Sequence, residues 1–348
     1  MGRLASLGLA ALLAMPSVVS ADVAVLMYHR FGEDAYPATN VRLDAFEAQL
    51  EQIEALELEV VPLATVIAAL RGEAEMPDRA VALTIDDAYA SIYTAAWPRL
   101  KAAGMSVTVF VATDAVDEKV SDYLTWDQLR EMAAEGLTVA SHGASHDSLP
   151  RKPGEGETEH HNRVREDLLR GEARLREELG DSPALLENVF AYPYGEYDAG
   201  VAGVVESLGW IAFGQHSGAV GPLGDLRALP RYPVNETYSD PDALRTKLLS
   251  RALPVERIEP WDPVSTPTPV LNVWLAEATG TPDRSRLACF VSGQGAVPVE
   301  WIEPGRQFRV TPPQPLGPGR SRVNCTLPGA DGRYAWYSHQ WLVRSGAP

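Results

Sequence analysis

Apolar runs alternate with amphipathic stretches through about the first two thirds of the chain. VAVLMYH, AVALTID, VTVFVAT, LTVASH, NVFAYP and IAFGQ have the texture of strands. Between them, RLDAFEAQLEQIEAL, YTAAWPRLKAAG, TWDQLREMAAEG and REDLLRGEARLREELG carry apolar residues at helical spacing. Thr125 followed by Gln128 predicts a capping box, and Gly104, Gly136 and Gly180 stand where helices should stop. Regular alternation of this kind predicts a parallel α/β domain. In a barrel, the C-terminal ends of all strands surround one mouth, so polar residues just past the strand ends become the functional candidates.

The texture then changes. Residues 258–269 are rich in proline and lack periodicity, which predicts a linker between a catalytic domain over residues 22–257 and a module over residues 270–348. LNVWLAEA, RLACFVSG, VEWIEPG, QFRVTP and YAWYSHQWLV are short runs broken by Gly and Pro, as expected of a small all-β module. Its Trp274, Trp301, Trp336 and Trp341 suggest either a glycan-binding surface or the core of a small sandwich.

Composition narrows the choice of partner. The 348 residues carry a formal charge of -17 with no cluster of Lys or Arg, which argues against a nucleic-acid backbone or an anionic membrane and suits a neutral or cationic polymer. At the N-terminus, Arg3, the apolar residues 7–15 and the small residues Val19, Ser20 and Ala21 predict a signal peptide over residues 1–21 and export to the periplasm or the exterior. No later run is long enough for a membrane span. The two cysteines, Cys289 and Cys325, are either a disulfide or two buried thiols, and an oxidising compartment favours the disulfide.

Two constellations carry chemistry. In TIDDAY, Asp86 and Asp87 close an apolar strand, where adjacent carboxylates repel each other unless a cation or shared proton intervenes. Successive side chains leave a strand in different directions, so one carboxylate can bind a metal while its neighbour reaches a water on it. Alternatively, one Asp caps a helix beginning near Ser91. In SHGASHDSL, His142 and His146 follow the strand LTVAS at a spacing that lets both imidazoles meet one ion.

With AYPYG as a third motif in the same order, these residues resemble the polysaccharide deacetylase family, the NodB-homology or carbohydrate esterase family 4 domain, over roughly residues 23–234. The resemblance implies an incomplete, distorted (β/α) barrel. It implies that Asp87, His142 and His146 hold a divalent metal, usually Zn2+, that Asp86 is the general base, and that the Tyr194 N–H meets the oxyanion. The substrate would be a polysaccharide with N-acetylated amino sugars: peptidoglycan, an exopolysaccharide or a chitin-like chain.

Three positions depart from the family pattern. Ala88 stands where Gly usually follows the Asp pair, and Ala191 where an Arg usually orients the catalytic Asp; Arg231 is the candidate to replace that Arg. The usual Leu-x-His near the end of the domain has no counterpart between Asp240 and Asp262. His29, at the end of the first strand, is the expected general acid, with His216 as the alternative. Tyr28, Tyr192 and Tyr194 are expected to face the sugar, with Tyr89 and Trp126 as lesser candidates. His160 and His161 fall in a polar stretch and read as solvated. The missing Arg and terminal His leave open a non-catalytic, glycan-binding barrel, and the same metal chemistry would serve a deacylase acting on a non-carbohydrate amide or ester.

Overall fold

The strands Val23–Tyr28 and Ala80–Asp86 are buried along their whole length, so the sheet they build must be covered on both sides. The computed structural model describes residues 21–277 and 283–344; the expected signal peptide lies almost wholly outside them. Six strands run parallel, in the order Val23–Tyr28, Ala80–Asp86, Thr108–Val111, Thr138–Ser141, Leu185–Ala191 and Ile211–Phe213, each next to its successor. Glu59–Val60, Ala219–Val220 and Tyr232–Pro233 complete a nine-stranded sheet.

The sheet is curled. The rings of Phe110 and Phe213 lie 6.0 Å apart although two strands separate theirs, whereas three strand spacings on a flat sheet would span about 14 Å. The curl is nearly closed by residues 229–233: Leu229 bridges to Phe213, and Tyr232–Pro233 pair with Leu26 and Met27. This is the expected incomplete (β/α) barrel.

Side-chain alternation sorts the strand residues into two cores. Val23, Val25, Ala82, Phe110, Ala140, Val189, Ala191 and Phe213 fill the concave side. Ala24, Leu26, Tyr28, Leu83, Ile85, Val109 and Val139 pack outward against helices, including Leu43–Ala55 and Trp126–Ala134. The capping box at Thr125 and Gln128 is present, and Gly104, Gly136 and Gly180 all adopt positive φ at helix ends.

Beyond residue 250 the chain forms two sheets, of six and four strands, around a core that includes Leu271, Phe308, Val323 and Trp341. Residues 258–269, expected as a linker, contribute to both: Val255–Glu259 pairs with Leu271–Leu275, and Val264–Ser265 with Tyr334–Val343. Proline there breaks periodicity without preventing short edge pairing. Cys289 and Cys325 face each other on paired strands and are bonded. Three of the four tryptophans are structural: Trp341 is in the module's core, Trp301 packs on Phe308, and Trp336 meets Tyr232 of the barrel edge-on. Among the described residues, no helix is long and apolar enough to cross a membrane.

Candidate active site

Alternation along Ala80–Asp86 places Thr84 and Asp86 on the same side as Ala82, facing the concave interior. Asp86 is fully buried and meets Arg231, also fully buried, through two bonds: Nη1 to Oδ1 at 2.6 Å and Nη2 to Oδ2 at 2.7 Å. Arg231 reaches it because the segment that closes the barrel carries it inward, where Nε donates to the Gly214 carbonyl at 3.0 Å. Burial pushes the Asp86 carboxyl up, but Arg231 and the nearby histidines outweigh that and hold it below the ordinary value. Arg231 therefore occupies the role for which Ala191 lacks the side chain.

Asp87 leaves the strand with φ +75° and Ala88 follows at +63°, a left-handed pair that turns the second carboxylate away from the first. Here the usual Gly would sit without strain. Asp87 Oδ1 lies 3.2 Å from His142 Nε2 and 2.9 Å from His146 Nε2, and one ligand atom from each residue falls within 4.8 Å of the others. His142 Nδ1 donates to the Ala191 carbonyl at 2.7 Å, which leaves its Nε2 as a lone pair aimed at the site. Neither Asp87 Oδ1 nor His142 Nε2 has a hydrogen bond of acceptable geometry among the described residues. Two buried lone-pair atoms facing each other fit a divalent cation between them. Asp87 and His142 are also coupled electrostatically. Burial raises the Asp87 carboxyl, yet the imidazoles hold it well below its range; burial lowers His142, yet Asp87 and Asp86 hold it above.

The loop between the histidines is pinned from behind. Asp167, on the helix Glu157–Leu179, accepts from the Ala144 and Ser145 amides at 3.2 and 2.9 Å. Gly143 and Gly171 permit the close approach: a Cβ on Gly143 would lie 2.5 Å from Asp167 Oδ2, and one on Gly171 would lie 2.7 Å from the Gly143 backbone. Asp167 was not among the expected site residues, since nothing in its helical spacing separates it from a solvated acid.

His29 reaches the site, with Nε2 3.9 Å from Asp86 Oδ2, and burial pushes its imidazolium down despite both carboxylates. His216 does not join it. It lines a cavity of about 310 Å³ between the barrel and the C-terminal sheets, with His339 and Trp261. Tyr194 stands at the mouth, 43% exposed, with its ring edge-on to His146 at 4.7 Å.

Several expectations are corrected. Tyr28 points outward, bonded to Gln49 and packed on Phe46, because it shares its face with Leu26. Tyr192 likewise follows Phe190 outward and donates to the Arg227 carbonyl. Applying the two-residue period at each strand end separates both from the site. Tyr89, paired with Tyr123 at 4.9 Å and capped by Arg30 at 3.5 Å, is the better rim aromatic. Trp126 instead lies under Arg174. His160 is buried, with Nε2 3.0 Å from the Leu149 carbonyl, while His161 is half-buried.

Comparison with known proteins bears on what this arrangement is. Residues 73–212 match the family model described as polysaccharide deacetylase, a span that includes both the Asp pair and the two histidines. The chain carries a polysaccharide deacetylase domain. A Bacillus subtilis (strain 168) protein that bears the polysaccharide deacetylase name, YxkH, is 25% identical over 197 residues, covering 55% of this chain and 63% of its own. The poly-beta-1,6-N-acetyl-D-glucosamine N-deacetylase of Escherichia coli (strain K12) is 28% identical over 226 residues, covering 55% of this chain and 33% of its own. The chain thus spans less than two thirds of the length of either relative. In fold, the deacetylase domain is similar to Streptococcus pyogenes deacetylase PplD, solved in complex with acetate, at 21% identity and a TM-score of 0.58 over 66% of this chain and 99% of that one.

Proposed function

We propose that this chain is a metal-dependent hydrolase that removes N-acetyl groups from an N-acetylglucosamine-containing polysaccharide. The observation that carries the reading is the convergence of Asp87, His142 and His146 beside an Asp86 that is buried and ion-paired. The name of the E. coli relative supports a β-1,6-linked exopolysaccharide as the substrate class.

Asp87, His142 and His146 would hold the ion. One carboxylate and two imidazoles suit Zn2+, which when bound would acidify water and polarise the acetyl carbonyl. Asp86, kept ionised by Arg231, takes a proton from the attacking water. As the new C–O bond forms, the carbonyl oxygen gains negative charge and accepts from the Tyr194 N–H. The C–N bond then breaks, and the amine nitrogen takes a proton from His29. The proton gained by Asp86 recharges His29, whose Nε2 lies 3.9 Å from Asp86 Oδ2. Burial makes the His29 imidazolium a ready donor. One water is consumed; acetate and a free amino sugar result. The Cys289–Cys325 disulfide and the apolar N-terminal segment support an exported site of action.

The test is acetate release from β-1,6-linked N-acetylglucosamine oligomers by chelator-treated protein, with and without added zinc. Zinc-dependent release that Asp86→Asn lowers by about a thousandfold or more supports the reading. Undiminished release by that variant removes Asp86 from the base role, and binding without release from any acetylated glycan favours a glycan-binding barrel. Release from simple aryl acetates or acetamides but not from glycans would indicate a non-carbohydrate deacylase.

A further inference from the structure

The turn that carries Tyr194 is held from outside the barrel. Gln340, fully buried on the strand Tyr334–Val343, donates from Nε2 to the Gly195 carbonyl at 2.6 Å. Arg320, on the neighbouring strand Gly319–Pro328, donates to the Tyr194 carbonyl and reaches Gln215 Oε1 at 3.4 Å. Its Nε also lies 3.6 Å from Glu196 Oε1. Two successive carbonyls of the turn are thus bonded to two adjacent strands of the C-terminal sheets.

Inside the turn, the Gly195 amide donates to the Tyr192 carbonyl at 2.8 Å and the Glu196 amide to the Pro193 carbonyl at 3.0 Å, while the Tyr194 N–H meets no backbone carbonyl among the described residues. Tyr194 has φ +58°, a conformation that a non-glycine residue keeps only where its surroundings impose it. Gly195 cannot carry a side chain here, since its Cβ would lie 2.6 Å from that of Gln215. Gln340 is an expensive residue for this position: its Oε1 is buried with no hydrogen-bond partner among the described residues. Its amide N–H is what the site uses.

We propose that Gln340 and Arg320 are positioning residues, by which the C-terminal β module fixes the two peptide planes on either side of Gly195, holds Tyr194 in its left-handed conformation, and so presents the Tyr194 N–H to the acetyl oxygen. This rests on the proposed function above. An oxyanion donor contributes only if it is already oriented before charge develops. Without the two bonds, Tyr194 is free to leave its positive φ, which turns the Pro193–Tyr194 peptide relative to the rest of the turn and carries the N–H away.

The experiment uses the full chain with Gln340→Met, which keeps the volume and removes the donor, and Arg320→Ala at a partly exposed site. With zinc and β-1,6-linked N-acetylglucosamine oligomers, each variant is expected to lose about tenfold in kcat, with KM and zinc affinity within about twofold of the parent. Unchanged kcat in both variants overturns the proposal, and so does a matching loss of zinc affinity, which would indicate general loosening. Hydrogen exchange judges the clamp without turnover. The Gly195 and Glu196 amides are expected to exchange about tenfold faster in Gln340→Met, and unaltered exchange overturns the clamp. If the parent releases no acetate, the functional reading fails while the exchange result still decides this one.

Discussion

Arg231 grips Asp86 with both guanidinium Nη atoms, at 2.6 and 2.7 Å, and neither side chain is exposed to solvent. They stand 145 positions apart, and only closure of the sheet brings them together. Replacing one partner of such a pair leaves a buried charge uncompensated. Arg231→Met is therefore expected to lose about 3–5 kcal/mol of stability, and Arg231→Met combined with Asp86→Asn to recover most of it. Urea unfolding of the four species of the cycle checks this; equal losses in the single and double variants would contradict the pairing.

Asp167 touches no candidate ligand, yet it holds the amides of Ala144 and Ser145 between His142 and His146. Supports of this kind shape affinity through ligand orientation. Asp167→Ala is expected to weaken zinc binding by about 10–100-fold, whereas Asp87→Ala abolishes it. Calorimetric titration of chelator-treated protein with zinc separates the two effects.

Acid should destabilise the protein through His216 and His339. Burial, with mutual repulsion adding to it for His216, pushes His216 down to about 3, and burial pushes His339 down to about 4, from an ordinary value of 6.5. Because the folded values lie below the unfolded one, the unfolded chain binds more protons between about pH 4 and 6.5, so stability falls as pH drops through that window. Each unit of separation is worth about 1.4 kcal/mol. Asp22, raised by burial from 3.8 to about 7, acts in the opposite sense, since its protonated folded form loses stability as pH rises through that range. Urea melts at pH 7 and pH 5 on His339→Gln should show a smaller loss on acidification than the parent, and Asp22→Asn a larger one. The reverse order would contradict the assignment.

The Cys289–Cys325 bond closes a loop with a sequence separation of 36. Removing it with paired Cys→Ala substitutions is expected to cost about 2–4 kcal/mol. Thermal unfolding followed by tryptophan fluorescence would register the change, because Trp301 and Trp341 lie in or against the same core.

The residues proposed to do the chemistry could be read from local pattern. Asp86, Asp87, His142 and His146 sit just past apolar runs, and the barrel follows from the alternation of those runs with helical stretches, because burial on both faces writes itself into consecutive residues. The outward direction of Tyr28 and Tyr192 was also available there, as a two-residue period that an aromatic at a strand end easily obscures. What no local pattern holds is contact across closure. Arg231 finds Asp86 only when the last strand returns to the first, Asp167 finds the histidine loop only when its helix docks, and Gln340 finds Gly195 only when the C-terminal sheets pack on the barrel. Each is a polar residue whose partner lies beyond the reach of helix or strand periodicity. The candidate metal-ligand set was therefore legible in the sequence alone, and the groups that orient and charge it were decided by the tertiary structure.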